Sequence, residues 1–202
     1  MTYWAGLVLT HGAGSNKDAP LLIALAQVFQ RTGIFVQRVN LSFRERTPSG
    51  PPLPASAAED RQSLRIAATQ MRERIAGPVF LGGHSYGGRQ SSILLAEDNT
   101  VAQALLLLSY PLHPPKKPHQ LRTAHFDNLR TPVLFVQGTS DPFGSIDEME
   151  TALALIPAKK HLSIVEGAGH DLARGRFDIQ KFVVEPFLGL IDSSAKIRAT
   201  GV

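Results

Sequence analysis

Short, nearly continuous apolar runs alternate along the chain with longer segments in which apolar residues recur every three or four positions. The runs 5–10, 34–40, 79–81, 102–108, 133–137 and 161–165 are rich in Val, Leu, Ile and Phe, as strands buried on both faces are. Between and after them the spacing predicts helices over 19–31, 57–75, 86–97, 145–155 and 176–191. In the second of these, Leu64, Ala68, Met71 and Ile75 form one stripe, while Arg61, Arg65, Arg72 and Glu73 lie elsewhere. Strand–helix alternation implies a parallel sheet with right-handed crossovers. The expected fold class is therefore α/β: a three-layer α/β/α sandwich around a mostly parallel, about six-stranded sheet, with no large lid. One domain is expected over 1–192, and the patternless residues 193–202 read as a C-terminal tail.

Proline marks two loops that follow strands. Pro48, Pro51, Pro52 and Pro54 follow the second, and Pro111, Pro114, Pro115 and Pro118 follow the fourth. Either they only end elements, or they stiffen two walls at the strand ends where open α/β sheets hold ligands.

Composition narrows the chemistry. With 43% apolar and 19% charged residues in 202, a large core is expected and general disorder is not. The absence of cysteine removes disulfides, thiolate metal sites, iron–sulfur ligation and a thiol nucleophile. The net charge of +4 is spread out, and Lys116-Lys117 is the only adjacent lysine pair apart from Lys159-Lys160, so no nucleic-acid partner is expected. No apolar run approaches the roughly 20 residues of a membrane span, and no basic leader is present, so a cytoplasmic location with no membrane partner is the default expectation. No cofactor and no metal is expected, because phosphate-loop, dinucleotide and HExxH patterns fail.

The chemistry concentrates in Gly83-His84-Ser85-Tyr86-Gly87, placed between a buried strand and a helix. A serine there sits on a strained turn with its hydroxyl exposed and a helix N-terminus behind it. A serine hydroxyl needs a base, and the base needs an orienting acid. Asp141 follows the fifth strand, 56 residues after Ser85, and His170 follows the sixth, 29 residues later. Ser85, Asp141 and His170 are thus the candidate catalytic residues, in the chain order expected for a parallel sheet. The Tyr86 amide supplies one candidate oxyanion donor. Ala13, in the glycine-rich loop after the first strand, supplies the second, with Gly14 as the alternative. His11 and His84 read as buried residues that hold these turns.

These segments, with Tyr110-Pro111-Leu112-His113-Pro114-Pro115 and the run from Val136 to Gly144, resemble the α/β-hydrolase superfamily. Within it the chain is similar to the small lidless dienelactone-hydrolase-like group. It is most similar to bacterial relatives of the testis-expressed and chromatin-complex hydrolase-like domains. The resemblance implies a hydrolase fold over the whole chain and leaves the substrate open. The expected function is a serine hydrolase cleaving an ester, thioester or related acyl bond of a small molecule through an acyl-enzyme. The alternative is a hydrolase-fold interaction module without turnover. Basic residues at the strand ends, with His113 and Arg44 as candidate substrate contacts, suggest either a preference for anionic acyl compounds or merely a solvated rim.

Overall fold

In β1 (Ala5–Thr10) all six residues are buried, so neither face of the strand meets water. Leu7 and Leu9 pack on one side of the sheet and Val8 on the other, following the two-residue period of a strand. The same division holds in β4 (Ala104–Leu108), where Leu105 and Leu107 oppose Ala104, Leu106 and Leu108. The computed structural model describes residues 3–191, and the expected tail 193–202 lies outside the described residues.

Six strands form one all-parallel sheet in the order β2-β1-β3-β4-β5-β6. The others are β2 (Ile34–Val39), β3 (Val79–His84), β5 (Val133–Gly138) and β6 (Lys160–Val165). Helices α1 (Pro20–Arg31) and α6 (179–191) cover one face, where Leu22, Leu25, Phe29, Val183 and Phe187 meet the sheet. Helices α3 (Ala57–Arg74), α4 (Tyr86–Glu97) and α5 (Ile146–Leu153) cover the other with Leu64, Met71, Leu94 and Met149.

Some boundaries move for identifiable reasons. Helix α1 begins at Pro20, whose fixed φ and missing N–H suit a first helical position. Helix α5 is started by a reciprocal capping box between Ser145 and Glu148. Helix α6 starts after Asp178, whose Oδ1 accepts the Lys181 N–H at 3.0 Å, and it carries a π-helical stretch over Gln180–Val184. A short helix, α2 (Ser42–Arg46), occupies the loop after β2, where no element is expected from the polar run Ser-Phe-Arg-Glu-Arg. Its Phe43 and Arg44 are buried, and the Phe43 N–H donates to Asp60 Oδ1 of α3 at 2.9 Å.

The strand order places the site. The crossover from β1 leads outward to β2, whereas that from β3 leads to β4 on the other side. Connections leaving in opposite directions open a crevice above the carboxyl ends of β1 and β3.

Candidate active site

Ser85 follows β3 and caps α4 with φ 50° and ψ −116°, a conformation outside the usual regions for a side-chain-bearing residue. The turn closes only because its neighbours lack side chains. A Cβ on Gly83 would sit 2.5 Å from the Gly88 nitrogen, and one on Gly87 would collide with the His11 carbonyl oxygen. The Ser85 N–H donates to the Leu108 carbonyl oxygen at 2.8 Å, which ties the turn to the end of β4.

Three side chains from three loops meet at this turn. His170 Nε2 lies 2.8 Å from Ser85 Oγ, and His170 Nδ1 lies 2.9 and 3.0 Å from the two carboxylate oxygens of Asp141. Asp141 is fully buried at its side chain. Its Oδ1 accepts the Phe143 N–H at 2.9 Å and its Oδ2 accepts Gln137 Nε2–H at 3.0 Å. An acceptor-only carboxylate so held presents its remaining capacity to the imidazole, which fixes the proton on Nδ1 and leaves Nε2 to accept from Ser85. Phe143 also stacks on the His170 ring, with centroids 4.1 Å apart.

The surrounding histidines hold loops. His84 Nε2–H donates to the His170 carbonyl oxygen at 2.7 Å, and burial pushes its pKa down to about 4. His11 Nδ1–H donates to the Gly12 carbonyl oxygen at 2.8 Å while its Nε2 accepts the Leu41 N–H at 3.1 Å, and burial lowers its pKa too. These two rings join β1, β2, β3 and the His170 loop by their hydrogen bonds. After His170 the chain passes through three residues of positive φ, Leu172, Ala173 and Arg174 (45°, 48° and 55°), held down by the wholly buried Leu172 side chain.

Ala13 and Tyr86 both line the cleft beside Ser85. Tyr86 is the first residue of α4, so its N–H has no partner within the helix. Its hydroxyl donates to Asp60 Oδ2 at 2.8 Å, and burial followed by this contact raises its pKa. Gly12 approaches closely: a Cβ there would come within 3.3 Å of Ser85 Cβ, so the loop after β1 packs against the serine. Gly14 also lines the cleft.

Of the expected substrate contacts, Arg44 and His113, neither is among the residues that line the cleft. Arg44 is 6% exposed, and its guanidinium is consumed by four carbonyl oxygens: Ala13 at 2.6 Å, Ser15 at 2.8 Å, Gly50 at 2.9 Å and Thr47 at 3.0 Å. It clamps the loop after β1 to the loop after β2. His113 is 5% exposed and is tied to the Pro114 carbonyl oxygen at 2.8 Å and to Glu148 Oε2 at 3.3 Å, so it fastens the 110–115 turn to the start of α5. Lys17 pairs with Asp18, and Arg46 with Glu59, so these rim charges are met within the molecule.

The cleft above Ser85 has a volume of about 840 Å³ and no large lid. Pro51, Pro52, Leu53 and Pro54 make one wall and Pro111 part of the other, so the proline loops do flank the site. Phe143, Arg89, Gln90 and Arg122 also line it, and of these Arg122 is one of the basic strand-end residues expected at the rim. The GGR of the Ser85 turn places Arg89 one helical turn after Ser85, a signal the sequence carried in plain sight.

The profile of a family described as alpha/beta hydrolase domain matches residues 4–180. Among solved structures, a protein from Thermus thermophilus superposes with a TM-score of 0.72 at 21% identity, covering 93% of this chain and 89% of that one. The dienelactone hydrolase of Anabaena variabilis gives 0.68 at 20% identity, covering 93% and 84%. A Xanthomonas campestris protein described as an α/β serine hydrolase without a lid gives 0.67 at 17%, again over 93% and 84%. At such identities the likeness is one of fold. Among the described residues no helix is long and apolar enough to cross a membrane.

Proposed function

Since the chain belongs to the alpha/beta hydrolase domain family, we propose that it is a serine hydrolase that cleaves an ester, thioester or related acyl bond of a small molecule. The observation that carries this reading is the unbroken line from Ser85 Oγ through the His170 ring to the buried Asp141 carboxylate, at 2.8 and 2.9 Å. Within the superfamily we place it with the lidless dienelactone-hydrolase-like group, nearest the bacterial relatives of the testis-expressed hydrolase-like proteins, on the motifs around Ser85, Pro111 and Asp141. We read it as one catalytic domain.

In the first half-reaction, Ser85 Oγ adds to the acyl carbon as its proton passes to His170 Nε2. The carbonyl electron pair moves onto oxygen, and the Tyr86 and Ala13 amides receive that oxyanion. Asp141 keeps the imidazole oriented and stabilises its charge without taking the proton. The tetrahedral adduct collapses, and the leaving alcohol or thiol takes the proton from Nε2. A water then gives a proton to Nε2 and adds to the acyl-enzyme. Its collapse releases the acid and returns the proton to Ser85 Oγ.

The Ala13 donor is supported by its loop: Arg44 holds the Ala13 carbonyl, Gly12 packs against Ser85, and Ala13 lines the cleft. A serine-directed fluorophosphonate tests the reading. Labelling of the native protein that disappears in Ser85→Ala is expected. Folded protein that resists labelling overturns it and favours the interaction module.

A further inference from the structure

Several arginines of this protein face an acid. Arg38 pairs with Asp18, Arg46 with Glu59, Arg61 with Glu97, and Arg65 with Asp98. Arg89 and Arg122 differ. Both line the cleft above Ser85, both are half-buried, and neither enters an ion pair among the described residues. No Asp or Glu is among the residues lining that cleft.

Each arginine is held through its backbone, and both border the cleft. The Arg89 N–H donates to the Ser85 carbonyl oxygen at 2.9 Å, so the two residues are successive positions on one face of the turn opening α4. Its Nε is buried with no hydrogen-bond partner. The Arg122 backbone is pinned on both sides: its N–H donates to the Leu112 carbonyl oxygen at 2.8 Å, and its own carbonyl accepts the Tyr110 hydroxyl at 2.7 Å. Its side chain spends one N–H on the Pro111 carbonyl oxygen at 3.2 Å. Burial and the nearby Arg89 both press the Arg122 guanidinium towards losing its charge, with no carboxylate to counter them.

Two like charges held together beside a catalytic serine, with one N–H buried and unpaired, are costly unless a third party neutralises them. We propose that Arg89 and Arg122 form an anion subsite, and that the acyl compound cleaved at Ser85 carries a carboxylate there. This rests on the serine hydrolase reading and names its substrate class. The planar forks of two guanidinium groups match a carboxylate in charge and shape. Because Arg89 lies one helical turn from Ser85, roughly 5–6 Å between Cβ atoms, the carboxylate stands a few carbons from the scissile carbonyl. Monoesters of short dicarboxylic acids fit that span. The charge does not come from Arg44 or the lysines of the rim, whose partners lie within the protein or whose side chains lie outside the cleft.

The test compares monomethyl glutarate with methyl glutaramate, which differ only by carboxylate against carboxamide. The native protein should favour the carboxylate at least tenfold in kcat/KM at low salt. That ratio should shrink at high salt and fall towards one in Arg122→Gln and in Arg89→Gln. Arg122→Lys, which keeps the charge without the fork, should fall in between. A native ratio near one, or a ratio that both Gln variants leave intact, overturns the subsite while the hydrolase reading stands. If neither ester turns over, calorimetry with glutarate on the Ser85→Ala protein decides. Binding weakened at least tenfold by adding Arg122→Gln supports the subsite, and no binding overturns it. The hydrolase reading itself fails only on the fluorophosphonate result.

Discussion

The Phe143 ring lies nearly flat on the imidazole of His170, at an interplanar angle of 29° and a centroid distance of 4.1 Å. The same residue donates its N–H to Asp141 Oδ1, so one position holds both the acid and the ring it orients. The imidazole has two chief freedoms, translation along the Asp141 carboxylate and rotation about its own bonds. The stack limits both. Phe143→Ala keeps the backbone donor and removes the stack, so kcat should fall about tenfold or more from lost alignment. Phe143→Tyr should restore most of it. Steady-state kinetics on any accepted ester check this, and an undiminished kcat in the alanine variant shows the stack to be incidental.

Ser85→Ala and His170→Ala should each lower kcat by at least about 10⁴-fold, and the double variant should be little worse, because residues acting as a unit lose their effect together. Both side chains stand on loops above the sheet, outside the two apolar cores, so circular dichroism should report a native fold. Multiplicative losses in the double variant contradict a nucleophile and base that work as one unit.

Arg44→Ala should cost roughly 2–3 kcal/mol of stability, since a charged donor leaves four carbonyl oxygens at once. It should also lower turnover, because the Ala13 loop loses its clamp. Arg44→Lys should rescue little, as one ammonium cannot reach around the same fork of acceptors. Urea denaturation gives the first quantity. Equal stabilities of the lysine variant and the native protein refute the clamp.

Acid should destabilise the fold before it unfolds everything. His84 and His125 are both held at about 4 against an ordinary 6.5, mainly by burial. As pH falls from 6.5 the unfolded chain takes up these protons first. Stability is therefore full above about pH 6.5, declines through the window down to about 4, and levels off below it for these groups. His84→Gln keeps a donor for the His170 carbonyl and removes one titration. It should flatten the acid limb of the stability curve by up to roughly 3 kcal/mol. A melting-temperature series across this range reads the difference, and parallel curves for variant and native protein exclude His84 as a contributor.

The order of strands and helices is legible in the sequence because its signals are local. Period-two and period-3.6 spacing of apolar residues reports which faces are buried, and the stripe of Leu64, Ala68 and Met71 does face the core. The glycines around Ser85 likewise announce a close turn, because only their missing side chains permit it. Helix α2 escapes such reading. Its burial depends on Asp60, 17 positions after Phe43, and no window of neighbouring residues contains that partner.

The sequence by itself thus determined the class of fold, the strand-end loops and the residue types in them, since backbone periodicity and turn chemistry act over a few positions. Which charged side chains face the cleft was decided only by the tertiary structure. Arg44 and Arg122 are alike in the sequence, both basic residues of strand-end loops, yet Arg44 is swallowed by four carbonyl oxygens while Arg122 lines the cleft. Burial of a flexible charged side chain is set by the acceptors that distant loops bring within reach, a property of packing that hydrophobic pattern does not encode.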